Sequence, residues 1–207
     1  MGRNPVSLRQ AFRFAWPAFK KCYLLFASVL LTIFAAWAAL EIVVITGQRF
    51  GLLLWIAAHL TFLVFFAGVE VGFLRICLSL AEGKEPVFAD AFKHLALGPA
   101  FLVGQILYLI LVVVGLALLI APGIFLSVRY AMFGFCIAAG ETSLTRSFQQ
   151  SAILSAGTMW PLFAALVALL SLNVLGACLL GLGLFVTVPL SALLATEVFR
   201  QLSRPGN

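Results

Sequence analysis

GPAFLVGQILYLILVVVGLALLIAPGIFLSVRYAMFGFCIAA, residues 98–139, is the stretch that decides the fold. It is about twice as long as the roughly 20 apolar residues that a helix needs to cross a bilayer. Pro122 and Gly123 interrupt it near its middle, and proline disfavours a continuous helix. The stretch therefore predicts two membrane-spanning helices, 98–121 and 122–139, joined by a tight break at Pro122 and Gly123.

Four further apolar segments flank this stretch, and each is about as long as one of the two predicted spans: 22–46, 51–74, 159–180 and 181–199. The last two meet at Gly181 and Gly183, which we expect to act as a second tight break. In lipid, backbone polar groups must be bonded within a helix or a closed barrel, and long apolar runs without period-2 alternation favour helices. We predict an all-α integral membrane protein: one polytopic domain over residues 1–207 with six transmembrane helices.

The composition excludes an ordinary soluble domain. Hydrophobic residues make up 64% of the chain and charged residues 10%, against roughly 45–50% and 25% in soluble proteins. The net charge of +6 is attributed to membrane orientation, and no nucleic-acid partner is expected. The four cysteines show no metal-ligand spacing, so neither a metal nor a cofactor is predicted. Because 22–46 exceeds a signal-peptide core of roughly 7–15 residues, we expect a retained first helix.

The basic residues predict the orientation. Eleven of them fall on one side of the predicted membrane: Arg3, Arg9, Arg13, Lys20, Lys21, Arg75, Lys84, Lys93, Arg146, Arg200 and Arg204. The opposite side has only Arg49, and Arg129 lies inside a span. Short cytoplasmic loops are enriched in lysine and arginine. Both termini are therefore expected to be cytoplasmic.

Three similar segments on that side have amphipathic spacing: 7–13, 88–93 and 143–149. They predict three cytoplasmic interfacial helices, each followed by a membrane hairpin, and hence a threefold repeat of helix plus hairpin. Their large aromatics are expected at the headgroup layer, namely Phe12, Trp16, Phe92 and Phe148. The alternative is that these segments are connectors packed on the inner rim of the bundle.

The charged residues within the spans are the candidate functional residues, because each costs roughly 2.5–3.5 kcal/mol on insertion scales. Arg129 is expected to pair with Glu70, with Glu197 as a second candidate partner. Gly68 and Gly72 flank Glu70 at a spacing that lets another helix approach closely. The pair could guard a polar pathway, or it could be a structural latch between the second and fourth helices. The latch is favoured because a single pair makes no relay.

From residue 121 onward the chain resembles a group of bacterial six-helix membrane proteins that includes the YciC family and the membrane domain attached to some glycerophosphodiester phosphodiesterases. The resemblance rests on Pro122-Gly123-Ile124, Arg129-Tyr130, Glu141, Ser143 through Ser151, Gly157, Gly181-Leu182-Gly183, Thr187 and Pro189. Ser147 and Phe199 depart from the family pattern, which usually has alanine and tyrosine there. The resemblance implies the six-helix architecture and a bacterial inner membrane, and it supplies no catalytic residues. Residues 1–120 match by layout only.

Three function classes compete. The sequence favours a non-enzymatic inner-membrane accessory protein with an envelope, partner-protein or protective role, in contact with membrane lipids and with a protein partner or a second copy of itself. The alternative is a transporter or channel component for a lipid or small solute, which broken helices and repeats suggest. A membrane-embedded enzyme is disfavoured, because common catalytic motifs are missing. Only four residues approximate a catalytic cluster: Glu70, Arg75, Arg129 and Glu197.

Overall fold

The computed structural model describes residues 6–46, 51–141, 143–179 and 181–204. The helices are α1 (Leu8–Thr46), α2 (Gly51–Ala81), α3 (Gly98–Leu118), α4 (Ile120–Tyr130), α5 (Phe133–Ala138), α6 (Leu144–Ser155), α7 (Met159–Cys178) and α8 (Leu184–Ser203). Two short 3-10 turns, Phe88–Phe92 and Leu95–Leu97, precede α3. The described ranges contain no strand.

Within the described residues, six helical segments are long and apolar enough to cross a membrane: Leu8–Ile45, Gly51–Ala81, Phe88–Leu118, Ile120–Ala138, Met159–Cys178 and Leu184–Ser203. Their outer surfaces carry large apolar side chains, such as Leu53 at 85% exposure, which in water would be unfavourable. The predictions of an all-helical chain and of six candidate spans are confirmed. The multi-pass character of the protein follows from them.

The first amphipathic segment and the first predicted span form one helix, α1, with a single kink. At Cys22 the backbone leaves helical geometry (φ −113°, ψ 19°), which is where the apolar span was predicted to begin. Before the kink, Ala11, Ala15 and Phe19 are buried, and α1 packs along α8. The N–H of Ser7 donates to Gln201 Oε1 at 2.8 Å, which ties the start of α1 to the end of α8.

The predicted break at Pro122 and Gly123 is displaced. The chain turns at Leu119, which is extended (φ −161°, ψ 144°), and both predicted residues lie in the first turns of α4. Proline is tolerated there because the first helical N–H groups have no partner within the helix. Gly123 lets α4 pack closely against α3, since a Cβ on Gly115 of α3 would lie only 2.9 Å from the Cα of Gly123. The span predicted as 122–139 is further divided into α4 and α5.

Between α7 and α8 the predicted break and the observed turn coincide in position. Gly181 has a φ of +76°, which favours glycine. Gly183 allows a close approach, because a Cβ there would lie 2.8 Å from the Cα of Gly176 on α7. These two glycines let α7 and α8 pack as an antiparallel pair.

The second amphipathic segment is not the predicted α-helix. It forms the two 3-10 turns, whose backbone lies against the glycines of α2. A Cβ on Gly72 would overlap the carbonyl of Ala91, and one on Gly68 would lie 2.8 Å from the Cα of Leu95. Gly68 and Gly72 therefore allow the close approach that their spacing predicts, and the approaching element is the 3-10 segment that leads into α3. The tighter winding of a 3-10 helix suits such backbone contact.

Candidate functional site

Glu70 is bonded to a neighbouring helix. Gln105 Nε2 on α3 donates to Glu70 Oε2 on α2 at 2.7 Å. Such a hydrogen bond is electrostatically stronger inside a bundle than in water. The two side chains therefore link α2 to α3.

Glu197 lies near the end of α8 and is only 3% exposed at its side chain. Arg200 Nη1 donates to its Oε2 at 3.0 Å, and Arg204 Nη2 lies 3.6 Å from its Oε1. Both arginines belong to the same end of the chain. This buried carboxylate is thus neutralised locally by residues three and seven positions later.

The predicted pairing of Arg129 with Glu70 or Glu197 is wrong. Among the described residues, no ion pair joins Arg129 to either carboxylate. The guanidinium lies over the ring of Phe125, with 5.6 Å between the Arg129 Cζ and the ring centroid. The physical reason is that both carboxylates already have nearer donors, which are Gln105 and the arginines after Glu197.

Other polar side chains within the spans also bond between helices. Asn173 Nδ2 on α7 donates to Ser191 Oγ on α8 at 3.1 Å. His59 Nε2 on α2 lies 3.5 Å from Glu41 Oε1 on α1. Interhelical hydrogen bonds such as that between Asn173 and Ser191 hold membrane helices together.

The break between α4 and α5 is held by serines of α6. Ser151 Oγ donates to the Arg129 carbonyl at 3.1 Å and accepts from the Met132 N–H at 3.1 Å. Ser155 Oγ donates to the same carbonyl at 3.0 Å. Both serines are completely buried. They replace backbone hydrogen bonds that the interrupted helix has lost.

Sequence reasoning did not find this serine role. Ser147, Ser151 and Ser155 recur every fourth residue and are all buried on one face of α6. This row of serines in the sequence was the available indication, because residues four apart share a helix face.

An open groove of about 670 Å³ lies between α3, α4 and α6. Leu107 and Leu111 of α3 form one wall, and Thr145 and Gln149 lie on the exposed face of α6. Arg129 reaches the groove from α4, beside Tyr130. The groove thus combines one cation, a few hydrogen-bonding groups and apolar walls.

The four aromatic residues predicted to be interfacial differ in how exposed they are. Phe12 and Trp16 are exposed and stacked on each other, with 6.0 Å between ring centroids. Phe92 is half-buried and packs on Phe65. Phe148 is buried and lies parallel to Phe133 at 4.9 Å, so its prediction as a headgroup-layer residue is wrong. It sits on the face of α6 that packs against α5.

The described residues contain no group of three or more His, Cys, Asp or Glu side chains that could hold a metal ion. Comparison of the chain with protein-family models, with curated proteins and with solved structures found no match. The resemblance to YciC and its relatives therefore stays a prediction.

Proposed function

We propose that this protein is a non-enzymatic accessory protein of the bacterial inner membrane. The proposal rests on one observation: polar side chains within the spans form hydrogen bonds between helices. Glu70 bonds to Gln105, and Asn173 bonds to Ser191, each across a helix pair. Groups engaged in holding helices together are not placed to line an aqueous path or to form an acid and base pair.

We further propose that both termini are cytoplasmic. Arg200 and Arg204 lie at Glu197, close in sequence to the point where Gln201 meets Ser7. Lys21, on the part of α1 before the kink, has its Nζ 2.6 Å from Glu85 Oε1 in the segment between α2 and α3. The hydrogen bond and the charge of Lys21 lower the pKa of Glu85, so this pair stays ionised at neutral pH. A charged, hydrated end rich in lysine and arginine is typical of the cytoplasmic side.

Two of the three amphipathic segments support an interfacial role. Before its kink, α1 exposes Phe12 and Trp16, and Lys20 Nζ lies 5.0 Å from the Trp16 ring centroid. Aromatics with flanking cations suit the headgroup layer. The other segment is α6, with Thr145 and Gln149 exposed opposite its serine face. The threefold repeat stays a prediction.

The partners that fit this proposal are membrane lipids and a protein, either a different one or a second copy of this chain. The exposed Phe12 and Trp16 are the candidate contact, since aromatic residues are enriched in protein interfaces. The groove at Arg129 favours a second candidate function, a transporter component for a lipid or small solute. The two candidates differ in whether the protein alone moves a molecule across a bilayer.

Proteoliposomes and cross-linking separate these candidates. With purified protein, we expect lipid scrambling and solute release equal to those of empty liposomes. In cells, a photo-cross-linking amino acid at Phe12 or Trp16 should give one discrete protein adduct, and the same probe at the exposed Leu53 should give none. Protein-dependent flux that is lost in Arg129→Ala would overturn the accessory proposal in favour of transport. Absence of an adduct at both aromatic positions would also overturn it.

A further inference from the structure

The groove between α3, α4 and α6 is electrostatically one-sided. Among the described residues that line it, Arg129 is the cation and none is a carboxylate. The two carboxylates that the sequence offered as partners, Glu70 and Glu197, are bonded elsewhere. A guanidinium without a carboxylate partner in an apolar setting is costly. It is the kind of group that a bound anion would stabilise.

The surroundings of Arg129 supply the remaining parts of an amphiphile site. Thr145 and Gln149 lie one helical turn apart on the exposed face of α6 and carry hydrogen-bonding side chains. Leu107 and Leu111 lie one turn apart on α3 and form an apolar strip. The volume of about 670 Å³ falls within the roughly 300–1,000 Å³ of ligand pockets.

We infer that this groove binds one anionic phospholipid, with the phosphate at Arg129 and an acyl chain along Leu107 and Leu111. A guanidinium can donate two parallel hydrogen bonds to phosphate oxygens. Gln149 and Thr145 then donate to the remaining headgroup oxygens.

The occupant is a lipid because of where the groove opens. Leu107 is 41% exposed and Ile153 is 64% exposed, and both belong to apolar surface that the surrounding membrane would cover. A free anion would satisfy Arg129 but would leave the leucine strip uncovered, whereas a lipid covers both. The site goes beyond the proposed accessory function and does not depend on it, since a bound lipid suits either an accessory protein or a transporter.

Native mass spectrometry after reconstitution tests this site. The probe is a vesicle of phosphatidylcholine and phosphatidylglycerol, with vesicles of phosphatidylcholine alone as reference. We expect one retained phosphatidylglycerol, at least about tenfold enriched over phosphatidylcholine, and a loss of that enrichment in Arg129→Gln. This variant keeps the Arg129 carbonyl that Ser151 and Ser155 hold. The matched control Arg13→Gln removes an exposed arginine of α1 and should retain the lipid.

A second variant and a competition with phosphate complete the test. Leu107→Trp fills the apolar side of the groove and leaves Arg129 in place, so it should also lose the lipid. If Arg129→Gln does not fold, Leu107→Trp provides the test of the site. Inorganic phosphate at millimolar concentration should not displace the lipid. Equal retention by Arg129→Gln and Arg13→Gln would overturn the site, and displacement by phosphate alone would overturn the lipid as its occupant.

Discussion

Gly72→Ala is expected to prevent most of the protein from reaching a stable fold. The added Cβ would overlap the carbonyl of Ala91 and lie 2.8 Å from its Cα. Both contacts are with backbone, so no side chain can rotate away. Overpacking typically costs about 1–3 kcal/mol and sometimes more, and we expect the upper end. Size-exclusion chromatography in detergent after a heat challenge would show a lower melting temperature and less monodisperse protein.

The control adds bulk to the same helix where there is room. Ala57 lies on the exposed side of α2, so Ala57→Val places its extra methyl groups toward lipid. Its melting temperature should match that of the wild type. If Gly72→Ala were as stable as Ala57→Val, the packing of the 3-10 segment against α2 would be incorrect.

The double change Ser151→Ala with Ser155→Ala is expected to be strongly destabilising. It removes both hydroxyls that donate to the Arg129 carbonyl and the acceptor of the Met132 N–H. A buried polar group left unsatisfied costs about 1–3 kcal/mol, so two such groups predict roughly 2–6 kcal/mol in the free energy of unfolding. Denaturant titration of the reconstituted protein would measure it. Ser155→Ala alone should cost less, because Ser151 still bonds the carbonyl.

Ser147→Ala is the matched control for this pair. Ser147 is equally buried on the same face of α6, but its hydroxyl donates to the Ser143 carbonyl of its own helix segment. That carbonyl already accepts the Ser147 N–H at 3.0 Å. The control should therefore unfold close to the wild type. A double variant no less stable than Ser147→Ala would refute the role assigned to Ser151 and Ser155.

The six spans could be predicted from the sequence because lipid leaves the backbone few alternatives to a helix. Helix ends were less predictable. Pro122 marks a helix start as well as a break, and the chain turned at Leu119, before it. Hydropathy also could not distinguish α1 with a kink at Cys22 from two separate helices.

The partners within the bundle could not be predicted, because a pattern along one helix does not say which helices are neighbours. The depths of Arg129 and Glu70 suggested a pair, but depth does not fix the side of the helix on which a residue lies. Gln105 was available on α3 and bonds to Glu70. The serines of α6 were likewise visible, while their acceptor at the α4 to α5 break depends on a packing contact that only the structure shows.

Cysteine labelling of spheroplasts tests the six-span arrangement with cytoplasmic termini most directly. In a background without the four native cysteines, single cysteines are placed by Arg13→Cys, Glu82→Cys and Leu182→Cys, all at exposed positions. A membrane-impermeant maleimide added outside should modify Leu182→Cys in intact spheroplasts, and the other two only after permeabilisation. Labelling of Glu82→Cys from outside, or labelling of Glu82→Cys and Leu182→Cys from the same side, would contradict the account.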